Sequence, residues 1–445
     1  MHRLELRILG VLAGLCVTAV TVAAQPPTAA WPEAHLPALR ELLERNASAT
    51  TAELEARVAA LHAAQANREA VNRERRPSLA LEAFGGLRNE YTPEDNNYEL
   101  ELLPAGELTV AMPLFTAGAI DARQAIAELR EDLAAGAIDR ARRGIHAELR
   151  SAYLRYYVAT AATEAAASAL ERQRRVIEDL TSRFEAGAIP RRQLQEEQLR
   201  LREIQLAARE AQLATRSIEG QLRLLAGGEG LPTAPDASAF DAAAEALRRL
   251  GAEVFPGPGV SNAAQELIAE KAVTREEYTV IQSQTRPQVA VVGRLYSDQL
   301  ETSQDQDLER IRGDIGFQVQ WNFFDWGQNK YRKLANVAEQ RRLENELQWQ
   351  QAQDRLAFEE MRDRREVAEE RVDVSRTRFE LKEMQADQVL SEQEAGGTDL
   401  VAVQEAIGEA EQARLEWRQD QFQLAAVTLQ LLRLAGYDNE QLGQP

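Results

Sequence analysis

Four histidines, one cysteine and a large stock of carboxylates are the residues through which this chain could do chemistry. A protein zinc site needs His, Cys or carboxylate ligands at short regular spacing, such as two histidines one helical turn apart. His2, His35, His62 and His146 are scattered, with no such pair and no cysteine near them. Acidic pairs such as Glu196-Glu197, Glu276-Glu277 and Glu359-Glu360 could serve general acid–base work. They sit in strongly charged helical stretches, where they read as solvated surface. There is no Gly-rich phosphate loop and no nucleophile elbow. These patterns predict no active site, no metal and no cofactor: the chain is not expected to be an enzyme.

Composition narrows the class further. The 445 residues are 28% charged and only 6% aromatic, rich in Ala, Glu, Gln, Arg and Leu, which favours long helices over a compact mixed fold. A formal net charge of −19 makes nucleic acid an unsuitable partner. Arg3 and Arg7 precede an apolar core from Ile8 to Val22, and Val22-Ala23-Ala24 supplies small residues before Gln25, the pattern of a cleaved secretory signal over residues 1–24. Cys16 lies inside that core, so the expected mature chain has no thiol chemistry. No later stretch is apolar for about 18 residues, the length that a membrane-crossing helix needs.

The sequence is written twice. Arg76-Pro77 returns as Arg286-Pro287, 210 residues later. Leu114-Phe115-Thr116-Ala117-Gly118 returns as Phe323-Phe324-Asp325-Trp326-Gly327, Glu185-Ala186-Gly187 as Glu394-Ala395-Gly396, and Leu225-Ala226-Gly227 as Leu434-Ala435-Gly436, each 209 residues on. Landmarks in register over so long a stretch indicate a tandem duplication. The expected division is a first repeat over 25–227, a Gly/Pro-rich connector over 228–259 with one short helix near Asp241–Leu250, a second repeat over 260–436, and a tail over 437–445. Each repeat reads as a charged helix, an Arg-Pro break, two strands joined by a polar loop (about 78–115 and 288–324), and two long helices with a Glu-Ala-Gly turn between them.

The strands look built for lipid. Ile315, Phe317, Val319, Trp321 and Phe323 alternate with Asp314, Gly316, Gln318, Gln320 and Asn322. A period of two puts the apolar set on one face. Val289, Val291, Gly293 and Leu295 continue the pattern, and Leu79, Leu81, Ala83 and Leu87 with Leu108, Val110 and Met112 repeat it less cleanly. Segments of about 10 residues suit a tilted membrane strand. Trp321, Phe323, Phe324 and Trp326 gather at one end, as in an interfacial aromatic girdle. Four strands cannot close an open barrel alone, and lipid tolerates no unpaired sheet edge, so the chain is expected to share its barrel with copies of itself.

The helices are too long for a globule. Ala119 to Ala186 contains no proline and would span roughly 100 Å at 1.5 Å per residue. On the returning helix, Leu194, Leu201, Ile204, Ala208, Ala211, Thr215, Ile218, Leu222 and Leu225 form a heptad stripe, the mark of coiled-coil packing. The counterpart stripe runs from Val403 to Leu434, interrupted by Asp420.

This duplicated order resembles the TolC-like outer-membrane efflux protein (outer-membrane factor) family. Pro113-Leu114-Phe115-Thr116-Ala117-Gly118 is similar to its strand-to-helix signature, and Arg183-Phe184-Glu185-Ala186-Gly187 to its helix-turn signature. The resemblance implies a mainly α fold with a small β part. It implies a homotrimer whose twelve strands make one β-barrel in the outer membrane of a Gram-negative cell, set on a periplasmic α-helical tunnel. It also implies a passive exit duct that serves an inner-membrane pump through a periplasmic adaptor, in efflux or type I secretion. The tip residues Arg183, Gly187, Ala188, Ile189, Gly396, Gly397 and Thr398 would meet the adaptor. Asp399 and Glu405 would be the acids at the gate or lumen, while Ala402 stands where the family often has an acid, and Asn322 and Glu392 depart from the motifs of the first repeat. The competing expectation is a soluble periplasmic coiled-coil adaptor or structural protein, which leaves the strand pairs without a purpose.

Overall fold

The computed structural model describes residues 32–48, 52–92, 97–226, 234, 236–252, 257–298, 310–395, 397 and 399–437. The expected signal segment, residues 228–233, 235 and 253–256 of the connector, Gly396, Thr398, the side chain of Leu87 and the tail beyond residue 437 lie outside the described parts. Among the described residues, eight α-helices and four strands follow in the order α1 (Pro37–Ser48), α2 (Ala52–Arg73), β1 (Ser78–Thr92), β2 (Asn97–Phe115), α3 (Ala119–Glu185), α4 (Arg191–Leu225), α5 (Ala237–Gly251), α6 (Asn262–Ser283), β3 (Gln288–Asp298), β4 (Arg310–Gln320), α7 (Gln328–Glu394) and α8 (Leu400–Leu434). The fold is mainly helical with one small sheet.

The duplication is visible in lengths as well as positions. Helices α3 and α7 both have 67 residues and α4 and α8 both have 35, each pair offset by the same 209 positions as the sequence landmarks. Helices α2 and α6 both have 22 residues and both stop just before an Arg-Pro pair, where proline removes a backbone donor and turns the chain into a strand.

Contacts divide the chain into two compact units, and each takes matching pieces of both repeats. One comprises Asn46–His146 and Val260–Leu356. It holds the sheet, α2, α6 and the first parts of α3 and α7. Here Arg68 donates to Glu131 (2.9 Å) and Glu128 (3.1 Å), tying α2 to α3. The Asn336 amide donates to the carbonyl of Thr274 (3.0 Å), tying α7 to α6.

The other unit comprises Met1–Arg45, Ala147–Gly259 and Ala357–Pro445. Its core gathers around α5, whose start is set by Asp236: the carboxylate accepts from the Ala239 N–H (2.7 Å), a side-chain cap that holds this acid below the usual carboxylate range. Phe240, Ala243, Ala244, Leu247 and Leu250 recur at helical spacing and are all buried. Phe240 stacks on Tyr157 with ring centroids 4.1 Å apart. Arg418 of α8 is buried beside this face, bonded to Asp241 and lying 4.7 Å from the Trp417 ring centroid. The N-terminal stretch contributes Leu36 and Leu39, both fully buried, and Glu33 pairs with buried Arg150. The stripe anticipated on α4 is the buried one, with Leu194, Ala208, Thr215, Ile218 and Leu222 inside. Asp420, the charge in the α8 stripe, stays half-exposed.

Candidate functional site

Two features carry the functional reading, one in each unit. The first is the sheet. Its strands lie in the order β1-β2-β3-β4, all antiparallel, with β1 and β4 at the two edges. Residues directly opposite one another share a face. The register therefore assembles apolar rows across all four strands: Leu79, Val110, Gly293 and Ile315 in one, Leu81, Leu108, Leu295 and Gly313 in the next. Met112, Val291 and Phe317 form another. The opposite face carries Ala80, Thr109, Arg294 and Asp314 in one row, with Gln318 and Gln320 further along. Arg294 pairs with Glu107 at 3.8 Å on that polar face.

No described residue covers the apolar face. Ile315 is 81% exposed, Phe317 76% and Val319 62%. Hydrocarbon so bare costs about 25 cal/mol per Å2 if left in water, so the face favours an apolar covering.

Two expectations about the strands need correction. Strands β1 and β2 run for 15 and 19 residues, well beyond the expected length of about 10. Strand β4 stops at Gln320, before Trp321 and Phe323. The partner of Gln320 is Gln288, the first residue of β3, and Pro287 before it has no N–H to extend the ladder. Trp321 and Phe323 continue outward, 57% and 80% exposed, but off the ladder. The Trp321 indole N–H donates instead to the carbonyl of Thr285 (3.2 Å). Phe324 and Trp326 pack edge to face at 4.9 Å just beyond that end of β4.

The turn from strand to long helix is the same in both repeats. Ala117-Gly118 and Trp326-Gly327 all have positive φ, at 52°, 88°, 54° and 83°. In the second repeat Asp325 clamps this turn by accepting from the N–H groups of Gly327 (3.0 Å) and Asn329 (2.8 Å); the Asn329 bond chiefly holds its carboxyl below the usual range.

The second feature is the pair of helix–helix turns. After α3 the chain reverses through Gly187 at φ 72°, a left-handed conformation that disfavours a side chain. The Ala188 N–H reaches back to the Arg183 carbonyl (2.8 Å), a Schellman closure of the helix end. Its counterpart is the Gly397 N–H on the Glu392 carbonyl (2.9 Å). Gly187, Ala188 and Gly397 are exposed, whereas Ile189 packs inward on Val176, Leu180 and Leu194 together with Val401.

The two predicted gate acids are both paired. Arg183 grips Asp399 through two hydrogen bonds (2.8 and 3.2 Å) while its Nε meets Asp179 at 2.8 Å. The Arg183 bond is the main reason the Asp399 carboxyl lies below its ordinary value. Arg200 of α4 donates to Glu405 (2.9 Å). Sequence reasoning selected Arg183 and Asp399 separately and missed their bond, and it missed Arg200 altogether. The available signal was the repeat itself: the two turns lie at equivalent positions, so a residue just before one can face a residue just after the other.

Among the described residues no group of His, Cys, Asp and Glu is arranged to hold a metal ion, and no helix is long and apolar enough to cross a membrane.

Comparison with known proteins follows the same line. No curated protein matches the chain. Residues 42–228 match the family "Outer membrane efflux protein". Among solved structures, the outer-membrane channel OprN is 18% identical with a TM-score of 0.70, covering 94% of each chain. The Campylobacter jejuni CmeC outer membrane channel is 14% identical with a TM-score of 0.72, covering 93% of this chain and 88% of that one. The Vibrio cholerae outer membrane protein VceC is 15% identical with a TM-score of 0.71, covering 92% and 99%. Residues 42–228 thus resemble the outer membrane efflux protein family, and the chain as a whole carries the TolC-like channel fold.

Proposed function

We propose that this protein is the outer-membrane duct of a tripartite efflux or type I secretion system. It is a passive channel without cofactor, fed by an inner-membrane transporter through a periplasmic adaptor. The observation that carries the reading is the four-stranded meander with one bare apolar face, one polar face and two unpaired edges. Lipid forbids open edges, so β4 of one copy must pair with β1 of another. Three copies supply the twelve strands that the family resemblance implies. The apolar rows then meet outer-membrane lipid, and Glu107, Thr109, Arg294, Asp314 and Gln318 line the lumen.

In this reading the helices form the periplasmic tunnel, and the turns at Gly187 and at 396–398 meet the adaptor. Asp399 and Glu405 stand at the tunnel mouth, each held by an arginine of the first repeat. Neutralising either acid frees α8 from α3 or α4 as well as removing a charge from the mouth, so both effects must be read together. A soluble coiled-coil protein would have to leave the Ile315–Val319 face in water.

The test is fractionation of cells that express the full chain, followed by an unheated gel of the detergent extract. A detergent-dependent trimer in the outer membrane is the expected result. A soluble periplasmic monomer would overturn the proposal.

A further inference from the structure

The duplication provides an internal comparison at the joint where each strand pair hands over to its long helix. In the first repeat the joint largely neutralises itself. Arg75 pairs with Asp121, and Arg123 meets Glu74 at 3.0 Å. The offsets of 209 and 210 carry Glu74, Arg75, Asp121 and Arg123 to Gln284, Thr285, Lys330 and Arg332. The geometry survives the change of residues: Arg332 donates to the Gln284 side chain, also at 3.0 Å. The charges do not survive. Both acids are replaced, and Lys333 takes the place of Gln124.

The first joint thus sets Arg75, Arg76 and Arg123 against Glu74 and Asp121, whereas the second sets Arg286, Lys330, Arg332 and Lys333 against Asp325 alone. Asp325 is already engaged by the N–H groups of Gly327 and Asn329, so it also answers the start of α7. Among the described residues, no carboxylate pairs with Arg286, Lys330 or Lys333. The neighbouring side chains diverge as well. Ala117 and Ala122 of the first joint are buried, while their counterparts Trp326 and Tyr331 are 88% and 68% exposed. Exposed Phe323 and Phe324 link them to the bare apolar face of β4. Trp321 donates to the Thr285 carbonyl and Arg332 to Gln284, which holds the aromatic run and the basic residues at one corner.

We propose that the joint of the second repeat binds the phosphate of an anionic phospholipid. Arg286, Lys330 and Lys333 meet the headgroup, and Trp326 and Tyr331 lie against the glycerol and upper chains. Exposed aromatic rings beside unpaired lysine and arginine are suited to the surface of a bilayer, where the rings sit among headgroups and the cations meet phosphate. A zwitterionic lipid offers the same phosphate but answers it with its own cation, so the excess positive charge selects the anionic one. The proposal rests on the outer-membrane channel reading and adds a lipid preference that one repeat alone carries.

Mass spectrometry of the intact oligomer tests it. The full-length chain is extracted from outer membranes in mild detergent and given equimolar phosphatidylglycerol and phosphatidylcholine with identical acyl chains. Phosphatidylglycerol should be retained at least about five-fold over phosphatidylcholine, the effect of roughly one basic residue near an anionic surface. Arg286→Gln with Lys330→Gln should abolish the preference. Arg174→Gln with Arg175→Gln removes as much charge from α3 in the other unit and should leave it intact. Lys330→Asp with Lys333→Gln installs the residues that the first repeat folds with at these positions, and it should abolish the preference even if the double glutamine variant fails to assemble. A detergent-dependent oligomer that takes both lipids alike would overturn the site and leave the channel reading standing; it is the result expected if a neighbouring copy covers the joint. Equal loss in the Arg174→Gln, Arg175→Gln variant would overturn the site as well, and displacement of the lipid by soluble glycerophosphoglycerol at equal concentration would overturn the assignment to lipid. A soluble monomer that needs no detergent would overturn the channel reading and the site together.

Discussion

Replacing Phe317 with arginine tests the lipid-facing reading at a single position. Phe317 sits on the apolar face, 76% exposed, four residues from Trp321 in the aromatic girdle. Four residues span roughly 13 Å along a strand, and a tilt of about 40° reduces that to roughly 10 Å along the membrane normal. An apolar band about 25 Å tall therefore has Phe317 close to its middle. Arginine there costs about 2–4 kcal/mol per strand, or about 6–12 kcal/mol for three copies. Gln318, one residue on, points to the polar face, so Gln318→Arg should cost close to nothing by the same reasoning. The assay is the yield of heat-modifiable oligomer in outer membranes, with Phe317→Leu as the apolar control. Phe317→Arg should lose most of its assembled protein, while Gln318→Arg and Phe317→Leu assemble normally. Equal losses for the two arginine variants would refute the assignment of faces.

Two further outcomes follow from the helical unit. Asp399 is held below the ordinary carboxylate range by Arg183, so its stabilising contribution is complete above the unfolded value of about 3.9 and is lost as pH falls through the lower folded value. Conductance in planar bilayers should thus show an acid transition only below about pH 4 from this group, absent in Asp399→Asn; a transition at pH 5–7 that Asp399→Asn removes would contradict the pairing. Asp241→Ala should destabilise the protein by about 2 kcal/mol in guanidinium titrations followed by circular dichroism, because it takes the paired carboxylate from Arg418, whose side chain is only 6% exposed, and leaves it the Gln421 amide oxygen. The figure sits below the value for a fully buried pair because the Asp241 side chain is 39% exposed. Adding Arg418→Met should recover part of the loss.

Much of the fold is legible in the sequence because its signals are periodic. A repeat of 209 residues, an alternation of two and a heptad stripe each restrict structure over many residues at once. The strand ends were harder to read, because they depend on a partner: nothing in the run from Ile315 to Phe323 says that the ladder stops at Gln320, since the stop is imposed by Pro287 just before β3. The acids Asp399 and Glu405 stand out as charges, but their partners Arg183 and Arg200 lie more than 200 residues away in sequence. Only the antiparallel register of the two repeats brings them together. Helix α5 begins at Ala237, ahead of the expected Asp241, because its first turn is held by Asp236, a cap that composition does not advertise.

The way the α5-containing unit is assembled from the chain bears on how it can fold. Its interior needs Leu36 and Leu39 from one end of the sequence and Leu424 and Leu431 from the other. A core drawn from segments so far apart in sequence makes loop closure slow, and it cannot be completed until the last helix has been made. A chain emerging vectorially therefore holds this core incomplete until α8 has been made. Loss of α8 would leave the face of α5 that packs on it uncovered.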